Sequence, residues 1–139
     1  MLKNIPSIIS PELMKVLLEM GHGDEIVFAD GNYPSSTSGP SVIRSDGNDI
    51  PELLKAVLLF FPLDVSSDSN VILMKPGHQM IPPIWASYKE ILEKSGEKPL
   101  ISTLERIQFY QRASKSYGIV ATSEKALFAN IILKKGVIA

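Results

Sequence analysis

The sequence contains no cysteine, and this absence excludes several classes of chemistry at once. A disulfide framework, a thiolate nucleophile and a zinc–thiolate centre all need that residue. Only two histidines occur among the 139 residues, and no His-x-x-x-His spacing joins them. We therefore expect a fold stabilised by its own core and a site that uses no metal ion and no other cofactor.

Long apolar runs and an excess of one charge are also missing. The longest apolar stretch, residues 56–61, is too short to cross a bilayer, and the first six residues do not resemble a signal peptide. Fourteen basic side chains face fifteen acidic ones, giving a formal net charge of −1. No strong field favours nucleic acid or an anionic membrane. We expect neither nucleic acid nor a membrane as a partner. We also expect a cytoplasmic location.

What is present is the composition of one globular domain, with 45% hydrophobic and 21% charged residues. Helical and strand patterns alternate along the chain, which favours an α/β fold with helices on the faces of a central sheet. We predict a single domain over residues 1–139, a three-layer α/β/α arrangement with a largely parallel or mixed sheet. The predicted helices lie near residues 10–21, 51–62, 82–96 and 107–115, and the strands near 25–30, 41–44, 71–74, 100–102, 118–122 and 130–133.

A histidine between two glycines follows the first predicted helix, which Ser10 caps and which Gly21 is expected to end in the left-handed conformation. The tetrapeptide Gly21-His22-Gly23-Asp24 leaves open space around the imidazole, a group that changes charge near neutral pH and suits acid/base work. The alternative is a histidine that only hydrogen-bonds a loop carbonyl. Dinucleotide binding is rejected, because the glycines precede a strand instead of following one.

Polar residues at the ends of the predicted elements suggest a site for a small polar molecule. Asp30 ends a strand, at the edge where α/β sheets bind ligands, and a carboxylate accepts hydrogen bonds from sugar-like hydroxyls. Its alternative is an Asx-turn residue. Arg44 and Arg106 offer planar donors but are each explained as well by a surface charge, and Asn130 is either a ligand or a turn residue.

Three further features complete the candidates from the residues alone. The loop over residues 31–40 is rich in turn formers, and its length favours a functional loop over a linker. His78 is predicted to be a solvated loop histidine. Trp85 is assigned to packing or to a subunit contact in preference to stacking on a sugar. These residues indicate a polar small-molecule site with one histidine, and they do not identify a reaction.

Longer motifs in a fixed order carry more information than single residues. They are Ser10-Pro11-Glu12-Leu13, residues 19–26, Asp30 followed by Pro34, residues 39–47, Phe109-Tyr110-x-Arg112-Ala113, Thr122-x-Glu124 and residues 130–136. Together they span almost the whole chain and resemble the L-fucose mutarotase and D-ribose pyranase family, nearest to its fucose branch.

The resemblance implies a site and an activity. His22 matches the family's proton donor, Asp30 and Arg106 match residues that bind sugar hydroxyls, and so does the segment Phe128-Ala129-Asn130. The family has tyrosine where this chain has Phe128. The implied reaction is cofactor-free, acid/base-catalysed ring opening of a free monosaccharide, L-fucose or another aldose. The implied assembly is a homo-oligomer, a decamer in many members, with sites near subunit contacts.

Two alternatives to an L-fucose mutarotase stay open at this point. One is a D-ribose pyranase, which interconverts pyranose and furanose forms. The other is a non-catalytic, sugar-binding accessory protein. Retention of His22 argues against the second, since binding alone does not require a proton donor.

Overall fold

A six-stranded sheet and four α-helices form the fold in a computed structural model that describes all 139 residues. The helices are α1 (Pro11–Glu19), α2 (Ile50–Val57), α3 (Ile84–Lys94) and α4 (Arg106–Ala113). The strands are β1 (Glu25–Ala29), β2 (Ser41–Ser45), β3 (Val71–Met74), β4 (Ile101–Leu104), β5 (Gly118–Thr122) and β6 (Ile131–Lys134). The elements fall where the sequence predicts them, and none of the helices has the length and apolarity needed to span a membrane.

The sheet is mixed, with strand order β2-β5-β1-β6-β3-β4. β1, β2 and β5 are parallel, as are β3 and β4, whereas β6 runs antiparallel to both of its neighbours, β1 and β3. The carboxyl ends of the five other strands therefore lie at the same edge of the sheet as the amino end of β6. This geometry brings Asn130, which precedes β6, beside Asp30, which follows β1.

Alternating side chains of the strands bury two separate cores, one on each face of the sheet. In β1, Ile26 and Phe28 pack with the apolar sides of α1, α2 and α3, whereas Val27 and Ala29 pack with α4. Period-two alternation is what a strand covered on both faces requires. The predicted three-layer α/β/α architecture is confirmed, with three helices on one face and one on the other.

The end of α1 differs from the sequence prediction in one detail. Ser10 caps the helix as expected, accepting a hydrogen bond from the Leu13 N–H at 3.1 Å. The prediction that Gly21 adopts the left-handed conformation is wrong, and Gly23 adopts it instead, with φ of +87°. The reason is local. The Asp24 carboxylate accepts a hydrogen bond from the Gly21 N–H at 2.7 Å, and the chain makes its turn at Gly23, two residues after Gly21.

Candidate functional site

Asp30 and Asn130 meet at the edge where β1 ends and β6 begins, although 100 residues separate them in sequence. The Asp30 N–H donates to Asn130 Oδ1 at 2.8 Å, and Asp30 Oδ1 accepts from the Asn32 N–H at 2.9 Å. The second contact is the predicted Asx turn, and Asn130 is buried and not a mere turn residue. The Asx-turn interpretation of Asp30 is confirmed, and the turn orients the carboxylate at the edge of the sheet. Binding of hydroxyls by Asp30 stays a prediction.

The loop after β1 forms one wall of a cleft beside Asp30. This cleft measures about 210 Å³ and is lined by residues 30, 31, 33–37, 44, 121 and 122. Most of the loop predicted to be functional therefore borders the candidate site. Arg44 also lines the cleft, but its side chain is 63% exposed and pairs with Asp46, as expected of a surface charge.

A larger cleft of about 790 Å³ lies at the same edge around Arg106, the first residue of α4. His78 and Phe128 line it too, with ring centroids 6.5 Å apart. The Arg106 guanidinium lies 5.8 Å from the centre of the Tyr110 ring, and that ring packs edge-on against Tyr33, 5.2 Å away. The aromatic pair links the Arg106 cleft to the Asp30 cleft, so these predicted residues form one polar surface.

The backbone of the segment Phe128-Ala129 is held from the opposite face of the sheet by α3. Trp85 Nε1 donates to the Phe128 carbonyl at 3.2 Å, and the buried Tyr88 hydroxyl donates to the Ala129 carbonyl at 2.5 Å. Phe128 has φ of +55°, a conformation that costs a non-glycine residue about 1–2 kcal/mol. Trp85 packs as predicted, and the sequence offered no signal for the role of Tyr88.

His22 lies at the other edge of the sheet, before β1 begins. The whole length of β1 lies between His22 and Asp30, and its five residues span about 17 Å at the usual rise per residue. One chain therefore assembles Asp30, Arg106 and the segment 128–130, but it does not bring His22 to them. The imidazole does not bind a loop carbonyl, as one interpretation had it, but contacts the Asp64 carboxylate, with Nε2 and Oδ1 3.2 Å apart.

Asp64 is the charged residue at this edge that sequence reasoning missed. Its oxygens accept hydrogen bonds from the Ser66 and Ser67 hydroxyls at 2.6 and 2.7 Å and from the Ser66 N–H at 3.0 Å. These hydrogen bonds hold the pKa of the Asp64 carboxyl well below its usual range, and those from the two serine hydroxyls contribute most. The spacing Asp-x-Ser-Ser, typical of an Asx or ST turn, was the available signal.

Groups of three or more His, Asp or Glu side chains placed to hold a metal ion do not occur in the structure. Asp30 and Asp64 are instead hydrogen-bonded, and the Arg106 guanidinium lies over the Tyr110 ring. What the arrangement offers is hydrogen bonding to hydroxyls at one edge and proton transfer at the other.

Burial of the Asp30 carboxyl gives a prediction about stability. Burial raises the pKa of Asp30 because the charged form loses hydration, and this outweighs hydrogen bonds from Asn32, Tyr33 and Asn130 that lower it. A carboxyl with a raised pKa binds its proton more tightly in the folded state. Its ionisation therefore lowers the free energy of unfolding as the pH rises through the folded pKa.

We expect Asp30→Asn to raise the midpoint of thermal unfolding at pH 7. The increase should shrink at pH 3, below the ordinary pKa of about 3.9 for aspartate, where the wild-type carboxyl is already neutral in both states. Circular dichroism at both pH values measures it, and Asp68→Asn, which neutralises an exposed carboxylate, is the control. An unchanged or lower midpoint at pH 7 would contradict the prediction.

Comparison with known proteins identifies the family and the fold of this chain. A profile of the RbsD / FucU transport protein family matches residues 3–138. The fucose mutarotase of Danio rerio is 47% identical over 144 residues, which cover 99% of this chain and 94% of that protein.

Solved structures agree with this match. The fucose mutarotase from Streptococcus pneumoniae, crystallised in complex with L-fucose, superposes with a TM-score of 0.95 at 51% identity, covering 99% of this chain and 100% of that one. FucU from Bifidobacterium longum superposes with a TM-score of 0.91 at 45% identity, covering 97% and 99% of the two chains. With a profile match over nearly its whole length and full-length relatives close to half identical, the chain belongs to the RbsD / FucU family.

Proposed function

We propose that this protein is an L-fucose mutarotase, an isomerase that interconverts the anomers of the free sugar. The observation that carries the proposal is the 51% identity, over the whole fold, to a fucose mutarotase that was crystallised with L-fucose. The polar edge formed by Asp30, Arg106 and Asn130, together with an accessible histidine, supplies the groups that such a reaction needs.

Ring opening of a pyranose is acid/base chemistry. A proton is placed on the ring oxygen while another leaves the anomeric hydroxyl, and the open chain then rotates and closes again. In the proposed mechanism His22 gives the proton to the ring oxygen and water takes the proton of the anomeric hydroxyl, and both transfers reverse on closure. Asp30, Arg106 and Asn130 hold the hydroxyls. The backbone of Phe128 and Ala129 completes the binding surface. A positioned acid or base contributes about 10²–10⁴-fold to such a rate.

We further propose that each site is shared between two subunits of a cytoplasmic homo-oligomer, a decamer by family resemblance. A separation of about 17 Å exceeds the reach of two side chains onto one monosaccharide, so His22 must meet the Asp30 edge of another copy. The surroundings support this, because exposed apolar side chains flank both places. Val65 lies between Asp64 and Ser66, which contact His22, and Val137 follows Gly136, which packs on Asp64. Ile107 and Leu127 adjoin Arg106 and Phe128.

A shared site predicts that two inactive variants restore each other. We expect His22→Gln and Asp30→Asn each to abolish anomer exchange when expressed alone. Co-expressed in equal amounts, they should give about one quarter of wild-type activity, since each site draws one residue from either neighbour in a symmetric assembly. Saturation-transfer NMR on L-fucose at equilibrium measures the exchange directly.

His22→Gln co-expressed with wild type is the control, and about half the wild-type activity is expected there. Light scattering verifies that all the mixtures assemble as the wild type does. A mixture of the two variants that stays as inactive as either one alone would show that the site lies within one chain.

The Arg106 cleft predicts the preferred sugar. Phe128 presents a ring without the family's hydroxyl, next to Arg106. An apolar wall suits the C6 methyl of L-fucose, which D-ribose lacks, whereas a sugar hydroxyl buried there without a partner costs about 1–3 kcal/mol, or tenfold and more in preference. We expect faster exchange of L-fucose than of D-ribose, and Phe128→Tyr should narrow the difference.

The same NMR measurement on both sugars, in wild type and in Phe128→Tyr, tests this preference. Equal or faster exchange of D-ribose by the wild type would overturn the fucose assignment in favour of a pyranase. Binding of either sugar without exchange would favour the sugar-binding accessory protein.

The proposed mechanism uses no cofactor. Exhaustive dialysis against a chelator is therefore expected to leave the exchange rate of L-fucose unchanged, because proton transfer by His22 needs no Lewis acid. A rate that collapses on chelation and returns with one divalent ion would contradict the mechanism.

A further inference from the structure

We propose that Asp64 is a positioning residue for His22, and that it holds the Nε2 proton of the imidazole so that Nδ1 faces the sugar. The inference rests on the proposed function of His22 and assigns the nitrogen that carries out the proton transfer. It also gives a role to the segment Lys134–Gly136, which belongs to a motif of the chain that the proposed mechanism leaves unused.

The first step is the contrast in exposure between the two partners. The His22 side chain is 52% exposed and the Asp64 side chain only 5%. The contact between Nε2 and Oδ1 therefore joins an accessible imidazole to a buried carboxylate. This geometry leaves the far side of the ring, with Nδ1, available to a ligand.

The second step concerns the proton in that contact. Asp64 already accepts three hydrogen bonds from Ser66 and Ser67, which favour the ionised carboxylate. An ionised carboxylate only accepts hydrogen bonds, so the proton between Oδ1 and Nε2 has to reside on the imidazole. Neutral His22 is then the Nε2–H tautomer, and Nδ1 is the nitrogen that gains and loses the catalytic proton.

The third step is the rigidity of the carboxylate's support. The Asp64 N–H donates to the Lys134 carbonyl at 3.0 Å, and Asn70 Nδ2 donates to the Asp64 carbonyl at 3.1 Å. Gly136 packs so closely that a Cβ there would lie 2.5 Å from the Leu63 carbonyl oxygen and 2.9 Å from the Asp64 Cα. Glycine at this position is required for the approach of the two segments.

The loop that carries His22 is held by the segment Lys134–Gly136 as well. The Gly23 N–H donates to the Lys135 carbonyl, the Lys135 N–H donates to the Asp24 carbonyl, both at 2.8 Å, and Lys135 Nζ donates to the Met20 carbonyl at 2.9 Å. Residues 134–136 thus connect the loop that carries His22 with the loop that carries Asp64. The distance between the two side chains is set by backbone hydrogen bonds on both sides.

The chemical consequence follows from charge. When Nδ1 binds a proton, the imidazolium lies beside an anionic carboxylate that has lost most of its water. The carboxylate fixes the ring orientation through its contact with Nε2, and it takes no proton itself. Asp64 acts through His22 and has no contact with the sugar.

Nitrogen NMR tests the tautomer independently of any activity. The full-length protein is labelled with ¹⁵N-histidine, and its two histidines are distinguished with the variant His78→Gln. At a pH where His22 is neutral, we expect long-range ¹H–¹⁵N spectra to show a protonated Nε2 and an unprotonated Nδ1. A protonated Nδ1 in the neutral ring would overturn the proposal.

Kinetics test the role in turnover. We expect Asp64→Asn to lower kcat for L-fucose exchange at least tenfold, with KM changed by no more than about twofold, since the imidazole loses its fixed tautomer and orientation while the sugar-binding edge is untouched. Asp68→Asn removes the same charge from the same loop without a contact to His22, and it should retain wild-type kcat. Wild-type kcat in Asp64→Asn would overturn the proposal.

Ser67→Ala tests the same role with a smaller change. If Asp64→Asn does not fold, Ser67→Ala removes a single hydrogen bond from Oδ2 and should lower kcat severalfold with the same KM. Wild-type kcat in that variant then counts against the proposal. A wild-type protein that exchanges no sugar would refute the proposed function alone, because the tautomer measurement still decides the contact between Asp64 and His22.

Discussion

The antiparallel placement of β6 between β1 and β3 is the constraint on which both halves of the candidate site depend. Because β6 runs against its neighbours, its first residues arrive where β1 ends and its last residues arrive where β1 begins. Asn130 is thereby delivered to Asp30, and residues 134–136 are delivered to His22 and Asp64. A parallel β6 would exchange these two ends and remove both sets of contacts.

Short sequence patterns predict the helix starts, the burial of the strands and the position of Asp30, because each depends on interactions between residues close together in the chain. Ser10 begins a helix through a hydrogen bond within one turn, Pro11 favours the first helical position through its fixed φ, and the two-residue alternation of β1 indicates burial on both faces. The position of Asp30 at the edge of the sheet also follows from pattern alone, because strand ends are readable and α/β sheets bind ligands there.

What the sequence does not predict depends on contacts between distant segments. The local sequence around Asp64 does not predict its contact with His22, because the two residues are 42 positions apart and the contact arises where β1 begins and β6 ends. The positive φ of Phe128 is likewise imposed from outside, where two side chains of α3 bind consecutive carbonyls. The end of α1 predicts a left-handed Gly21, but the Asp24 carboxylate binds the Gly21 N–H and the left-handed residue is Gly23.

The location of His22 and Asp30 at opposite edges of one sheet has a consequence for symmetry. A two-fold axis can pair His22 of each subunit with Asp30 of the other, whereas a contact that joins one edge of a subunit only to the opposite edge of the next is heterologous. Repetition of such a contact either closes into a ring or continues as a filament. A filament leaves the sites at its two ends incomplete, whereas a two-fold pair or a closed ring completes every site, so that closure itself determines how many of the sites are complete.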